Sequence, residues 1–149
     1  MLVTALAGAL ALAGQDGAGL PQDVGVGGFC TGMAWVSVID GRNLSMDHGP
    51  DFLVFRYDRS PLSWWGVYTG RAARVSGSKK KLFFIRHGVK VSRVTVDGEF
   101  RGYLAVNRRG EQNHFYGSPF HGDASDKAFF DKVDFGPEGR TKCKETPIR

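Results

Sequence analysis

The stretch Val89-Lys90-Val91-Ser92-Arg93-Val94-Thr95-Val96-Asp97-Gly98-Glu99-Phe100-Arg101-Gly102-Tyr103-Leu104-Ala105-Val106 decides the fold class. Two runs rich in β-branched and aromatic residues flank Asp-Gly, the dipeptide that accepts the positive φ angles of a two-residue hairpin turn. The pattern predicts an antiparallel hairpin. Ahead of the turn the valines change phase: Val89 and Val91 share one face and Val94 and Val96 the other, which predicts a β-bulge near Ser92 or Arg93. With a two-residue loop, Val91, Thr95, Phe100, Leu104 and Val106 line one face.

Similar signals extend to both sides. Gly77-Ser78-Lys79-Lys80-Lys81 reads as a charged turn into Leu82 to Arg86, and His87-Gly88 reverses the chain into Val89. Upstream, Met33 to Asp40 is a strand closed by Asp40-Gly41, and Arg42 to Asp51 is a polar loop. Phe52 to Tyr57 is apolar on both faces, as a central strand is. After Ser60-Pro61, Trp64 to Thr69 is a strand that puts Trp64 and Trp65 on opposite faces, and Ala72 to Ser76 is a further candidate. Downstream of the Asn107 to Gly110 loop lies a short apolar piece, His114 to Tyr116. Asp123 or Ser125 then caps the one helix, in which Ala128, Phe129 and Val133 recur at helical spacing up to Gly136-Pro137. Glycine is 21 of 149 residues, about twice the ordinary share, and is scattered, which favours many turns between short strands. The expected fold is therefore mainly β: a small antiparallel β-sandwich or partly closed barrel with one short C-terminal helix.

The two ends of the chain bear on its compartment. Residues 1–14 carry no charge and are almost entirely Ala, Leu, Val and Gly. That run is too short to span a bilayer and ends in the small-x-small form of a cleavage site, so residues 1–13 read as a signal peptide, although no Lys or Arg precedes the apolar part. Residues 14–28, with six glycines, read as a flexible lead-in, and 29–149 as a single β-rich domain. An ordinary N-terminal helix is the alternative for the first segment. In an exported, periplasmic or secreted chain, Cys30 and Cys143 pair as a disulfide that ties the domain ends together. Neither has the neighbours that would make it a reactive thiol. No segment is expected to span the membrane, and the polar tail from Glu138 onward depends on that bridge for order.

Charge is uneven. Arg71 to Arg109 holds eleven Lys or Arg against Asp97 and Glu99. If the strands carrying them are neighbours, these residues form a positive surface centred on Lys79, Lys80, Lys81, Arg93 and Arg101, with Arg71, Arg74, Lys90, Arg108 and Arg109 around it. The same residues also serve simply as solvated charges that keep strand edges from pairing. Whichever of Trp64 and Trp65 faces outward can stack on a sugar ring or anchor a protein, burial under the helix being its alternative. His114, His121 and Asp123 are a second candidate set, since two imidazoles and a carboxylate can hold zinc or iron, yet their spacing fits no recurrent motif. There is no P-loop, dinucleotide fingerprint, zinc finger or Gly-x-Ser-x-Gly elbow, and no aromatic RNA-binding pattern. The residues therefore suggest a non-catalytic binding module without cofactor, contacting an anionic envelope polymer or a protein partner rather than nucleic acid. A small exported metal-dependent hydrolase using His114, His121 and Asp123 is the alternative.

Overall fold

Asp97 and Gly98 adopt φ angles of 51° and 81°, and this turn joins β8 (Val89–Val96) to β9 (Glu99–Val106) as an antiparallel pair. His87 and Gly88, at 48° and 77°, repeat the device between β7 (Lys79–Arg86) and β8. Both turns use the left-handed region that suits the right-handed twist of the strands they join. The computed structural model describes residues 24–25, 27–38, 43–60, 62–70, 73 and 75–146. The expected leader, most of the expected lead-in, the Asp40-Gly41 turn, Pro61, Arg71 and Arg74 lie outside the described residues.

Two antiparallel sheets face each other, and neither closes into a barrel. The larger has the order β4 (Leu44–Gly49), β5 (Phe52–Ser60), β6 (Ser63–Gly70), β10 (Gln112–Gly117), β9, β8, β7. The smaller has the order β1 (Val24–Gly25), β2 (Gly28–Cys30), β3 (Trp35–Ser37), β11 (Val133–Asp134), so pairing reaches into the expected lead-in. Phe29 and Val36 from the smaller sheet, with Ala34 just ahead of β3, meet Phe55, Trp65, Val67, Tyr103 and Phe115 from the larger one, all buried. The Phe29 and Phe55 rings stack at 4.4 Å between centroids. Each such aromatic removes enough apolar area from water to stabilise the fold by about 1.5–3 kcal/mol. A buried polar link joins the same sheets, Asn113 Nδ2 donating to Thr31 Oγ1 at 2.5 Å.

Several elements differ from the sequence expectation. Leu44–Gly49 is a strand, not a loop, because Leu44 and Met46 turn inward while Ser45 and Asp47 turn out. Lys79–Lys81 lie within β7 rather than in a turn. Ala73 and Val75 form no strand; they lie over the outer face of the larger sheet, where Ala73 joins Val94 and Leu104 in a second small core. That core explains the valine phase change without a bulge in β8: Val89 and Val91 serve the main core and Val94 the outer one. The register shifts instead opposite Val94 and Thr95, at Arg101, and beside Phe83 in β7. Consequently Leu104 and Val106 face away from Phe100.

The expected single helix is also divided. A 3-10 turn over Ala124–Asp126 leads into the one-turn α1 (Lys127–Phe130), with Asp123 capping through the Ser125 N–H at 2.9 Å. Val133 is then drawn into a strand by pairing with Val36. Pro137 opens a second helix, α2 (Pro137–Glu145), where a tail was expected. A proline suits that first position because its missing N–H would have no helical partner. Cys143 on α2 is bonded to Cys30 on β2, with 5.3 Å between their Cα atoms. Among the described residues no helix is long and apolar enough to cross a membrane.

Replacing both cysteines with serine should cost about 2–5 kcal/mol of stability, the usual range for a disulfide closing a long loop. Denaturant unfolding measures the loss, and hydrogen exchange should find α2 the first element to lose protection.

Candidate functional site

The sequence-predicted binding residues fall into separate places. Lys79, Lys80 and Lys81 are exposed on β7, the outermost strand of the larger sheet, whose far side has no neighbouring strand among the described residues. Strand alternation sends Lys79 and Lys81 to the core-side face and Lys80 to the outer one. The strand thus presents ammonium groups in both directions. It continues through Leu82 and Ile85, which are 51% and 64% exposed.

Arg93 sits directly across from Lys81, but its guanidinium holds the protein together. Nε donates to the Gly122 carbonyl at 2.7 Å, and the group lies 5.1 Å from the Phe100 ring centre. Arg101 is exposed at the β9 irregularity and donates to Glu99 at 2.6 Å, so its charge is locally offset. Exposed pairs of this kind contribute at most about 1 kcal/mol.

Trp65 is only 6% exposed and packs between Tyr57 and Phe129. Trp64 is the outward one. It is half-buried on the outer face, its ring edge-on to Tyr116 and covered by the Arg56 guanidinium at 4.5 Å. Four strand spacings, about 19 Å, separate β6 from β7, so Trp64 and the lysines do not form one site.

His114, His121 and Asp123 do not come together as ligands. Among the described residues no group of three His, Cys, Asp or Glu side chains is placed to hold a metal ion. His114 lies on the outer face, stacked on Tyr116, with Nε2–H donating to the Arg101 carbonyl at 2.7 Å. Its ring occupies the space a side chain at Gly102 would need. Half-burial holds its pKa below the ordinary imidazole range, the hydrogen bond opposing that shift in part. Asp123 is the helical cap, and its two bonds from Ser125 hold its pKa below the usual carboxylate range. His121 lines a cleft of about 400 Å3 with Trp65, Tyr57, Arg59, Phe129 and Lys132. Arg59 was missed in the sequence; the one signal for it is its place beside Ser60-Pro61, where the β5–β6 register shifts.

Beneath that cleft Asp126 is 3% exposed. Its carboxylate accepts from the Tyr103 hydroxyl at 2.6 Å, the His121 N–H at 2.9 Å and the Gly122 N–H at 2.7 Å. Burial, then the bond to Asp126, pushes the Tyr103 pKa well up.

The class defined by these features is a disulfide-bonded, open two-sheet antiparallel β-sandwich with a lysine-bearing edge strand. No protein-family model, curated protein or solved structure matches the chain.

Two outcomes are expected. Tyr103→Phe removes one of the donors to the buried Asp126 carboxylate and should destabilise the fold by about 1–3 kcal/mol in chemical denaturation. For His114 the unfolded imidazole gains its proton below about pH 6.5 while the folded one resists, so the unfolded state binds more protons and stability falls with acidification. Melting temperatures measured downward from neutral pH should show this component in the native chain and lack it in His114→Gln.

Proposed function

We propose that the protein is an exported, non-catalytic binding module that engages an anionic polymer of the cell envelope or extracellular space through the β7 edge. The observation that carries this reading is the run Lys79, Lys80 and Lys81, exposed on both faces of a strand that has one unpaired side among the described residues. A polyanion can lie along such an edge and meet successive ammonium groups, each contact releasing a condensed counterion. Lysine suits this role because a hydrated point charge on a flexible stem follows an irregular partner. Arg93, one strand in, adds fixed positive potential, and the formal net charge of +5 favours encounter over long range.

Export is supported by the uncharged apolar residues 1–14 and by the Cys30–Cys143 disulfide, which persists in oxidising compartments. Acidic polysaccharides are available there, and nucleic acid much less so.

Binding to alginate, followed across a sodium chloride series, tests the reading. The logarithm of affinity should fall linearly with the logarithm of salt concentration. Replacing Lys79, Lys80 and Lys81 together with alanine should reduce the slope by about 2–3. An unchanged slope in that variant would refute the assignment to β7.

A further inference from the structure

We propose a second, chemically distinct anion site: a cleft at the other end of β7, built from arginines, that binds a phosphate- or sulfate-type group. It has a volume of about 360 Å3 and is lined by His87, Arg108, Arg109 and Arg140, with Glu111 beside them. Six residues along a strand separate it from Lys80, about 20 Å. The site stands independently of the polymer reading.

Three chain segments supply its cations, and each is held in place. The first is the β7–β8 turn. Gly88 has φ 77° and no side chain, so the Arg108 guanidinium lies close against it; a Cβ there would stand 3.0 Å from Arg108 Nε. The second is the β9–β10 loop, folded around Asn107. Its Oδ1 accepts from the Arg109 and Glu111 N–H groups, both at 3.0 Å, and its carbonyl accepts from Gly110 at 3.0 Å. Asn107 Nδ2 donates in turn to the Glu111 carboxylate, which engages the acidic group in the cleft.

The third segment is α2. Arg140 precedes the disulfide-bonded Cys143 by three residues, one helical turn on the same side, and its Nη1 stands 3.4 Å from the Phe135 carbonyl. Three guanidinium groups and an imidazole thus line the cleft together with one carboxylate, which already has a partner in Asn107. A guanidinium carries a permanent charge and a fixed fork of donors, which fits two oxygens of a tetrahedral anion at once. The lysine edge has no such fork. A cleft of this volume also leaves room for an organic body attached to the charged group.

Titration of the disulfide-intact chain at constant ionic strength, with chloride as the balancing anion, provides the test. The probes are inorganic phosphate, sulfate and glycerol 3-phosphate, followed by amide chemical shifts. Saturable one-to-one binding is expected, with shifts at residues 87–88, 107–111 and 135–140. Tighter binding of glycerol 3-phosphate than of phosphate would assign the site to an esterified group, and equal binding to the free anion.

Changing Arg108 and Arg140 together to alanine should weaken binding by about tenfold or more, with the remaining spectrum unchanged. Arg140→Lys should recover only part of it. The Lys79, Lys80 and Lys81 alanine variant should bind these probes normally, so this site and the polymer edge can fail separately. Absence of saturable binding, or equal binding by the Arg108 and Arg140 variant, would overturn the proposal.

Discussion

The buried carboxylate of Asp126 is the constraint on which the closed end of the sandwich depends. The loop from Ser118 to Asp123 carries several backbone donors away from any strand, and donors left unpaired in the interior would cost about 1–3 kcal/mol each. Asp126 takes the N–H groups of His121 and Gly122 and the hydroxyl of Tyr103 together. Arg93 completes the anchor by donating to the Gly122 carbonyl. Only with this loop fixed to the larger sheet can the short α1 keep its place, since four residues form no stable helix alone. Its Phe130 then packs among Phe83, Phe84, Tyr103 and Phe115, and Phe129 covers Trp65. The polar anchor thus positions the apolar plug, and the plug keeps water from the anchor.

Glycines play a comparable part on the outer face. The Tyr116 ring occupies the place where a side chain at Gly66 would stand, as the His114 ring does at Gly102. An aromatic lying over a glycine supplies the surface that the glycine lacks and shields the strand hydrogen bonds beneath it. Burial within this arrangement lowers the His114 pKa. A perturbed imidazole here is a consequence of covering a sheet face.

The hairpins were legible because their information is local. Asp97-Gly98 and His87-Gly88 specify positive φ angles within two residues, and no distant contact is needed to read them. The failures share the opposite character. Val94 shows no sign in the sequence that a separate segment, through Ala73, covers its face. Val133 sits at helical spacing after Phe129, yet its partner Val36 lies almost a hundred residues earlier and decides in favour of a strand. Leu44 and Met46 do alternate with polar residues, but Asp47 to Asp51 has the composition of a turn and masked the pattern. The candidate site followed the same rule. Three adjacent lysines could be read as exposed, whereas neither the separation of Trp64 from them nor the use of Arg93 as an anchor was visible without the strand order.

The disulfide connects compartment, stability and surface chemistry in one bond. Helix α2 is mostly polar, and the residue it buries fully is Gly139, pressed so close to β11 that a Cβ would stand 2.2 Å from the Asp134 carbonyl. Close approach through a glycine brings the helix backbone to the sheet but removes little apolar area from water, so packing alone holds α2 weakly. The Cys30–Cys143 bond supplies what packing lacks by excluding open conformations of the chain. The groups that α2 contributes to the surface, Arg140 among them, therefore depend on this covalent link as well as on local hydrogen bonds. Breaking that bond would disturb the arrangement of charge at this end of the molecule as well as the stability of the fold.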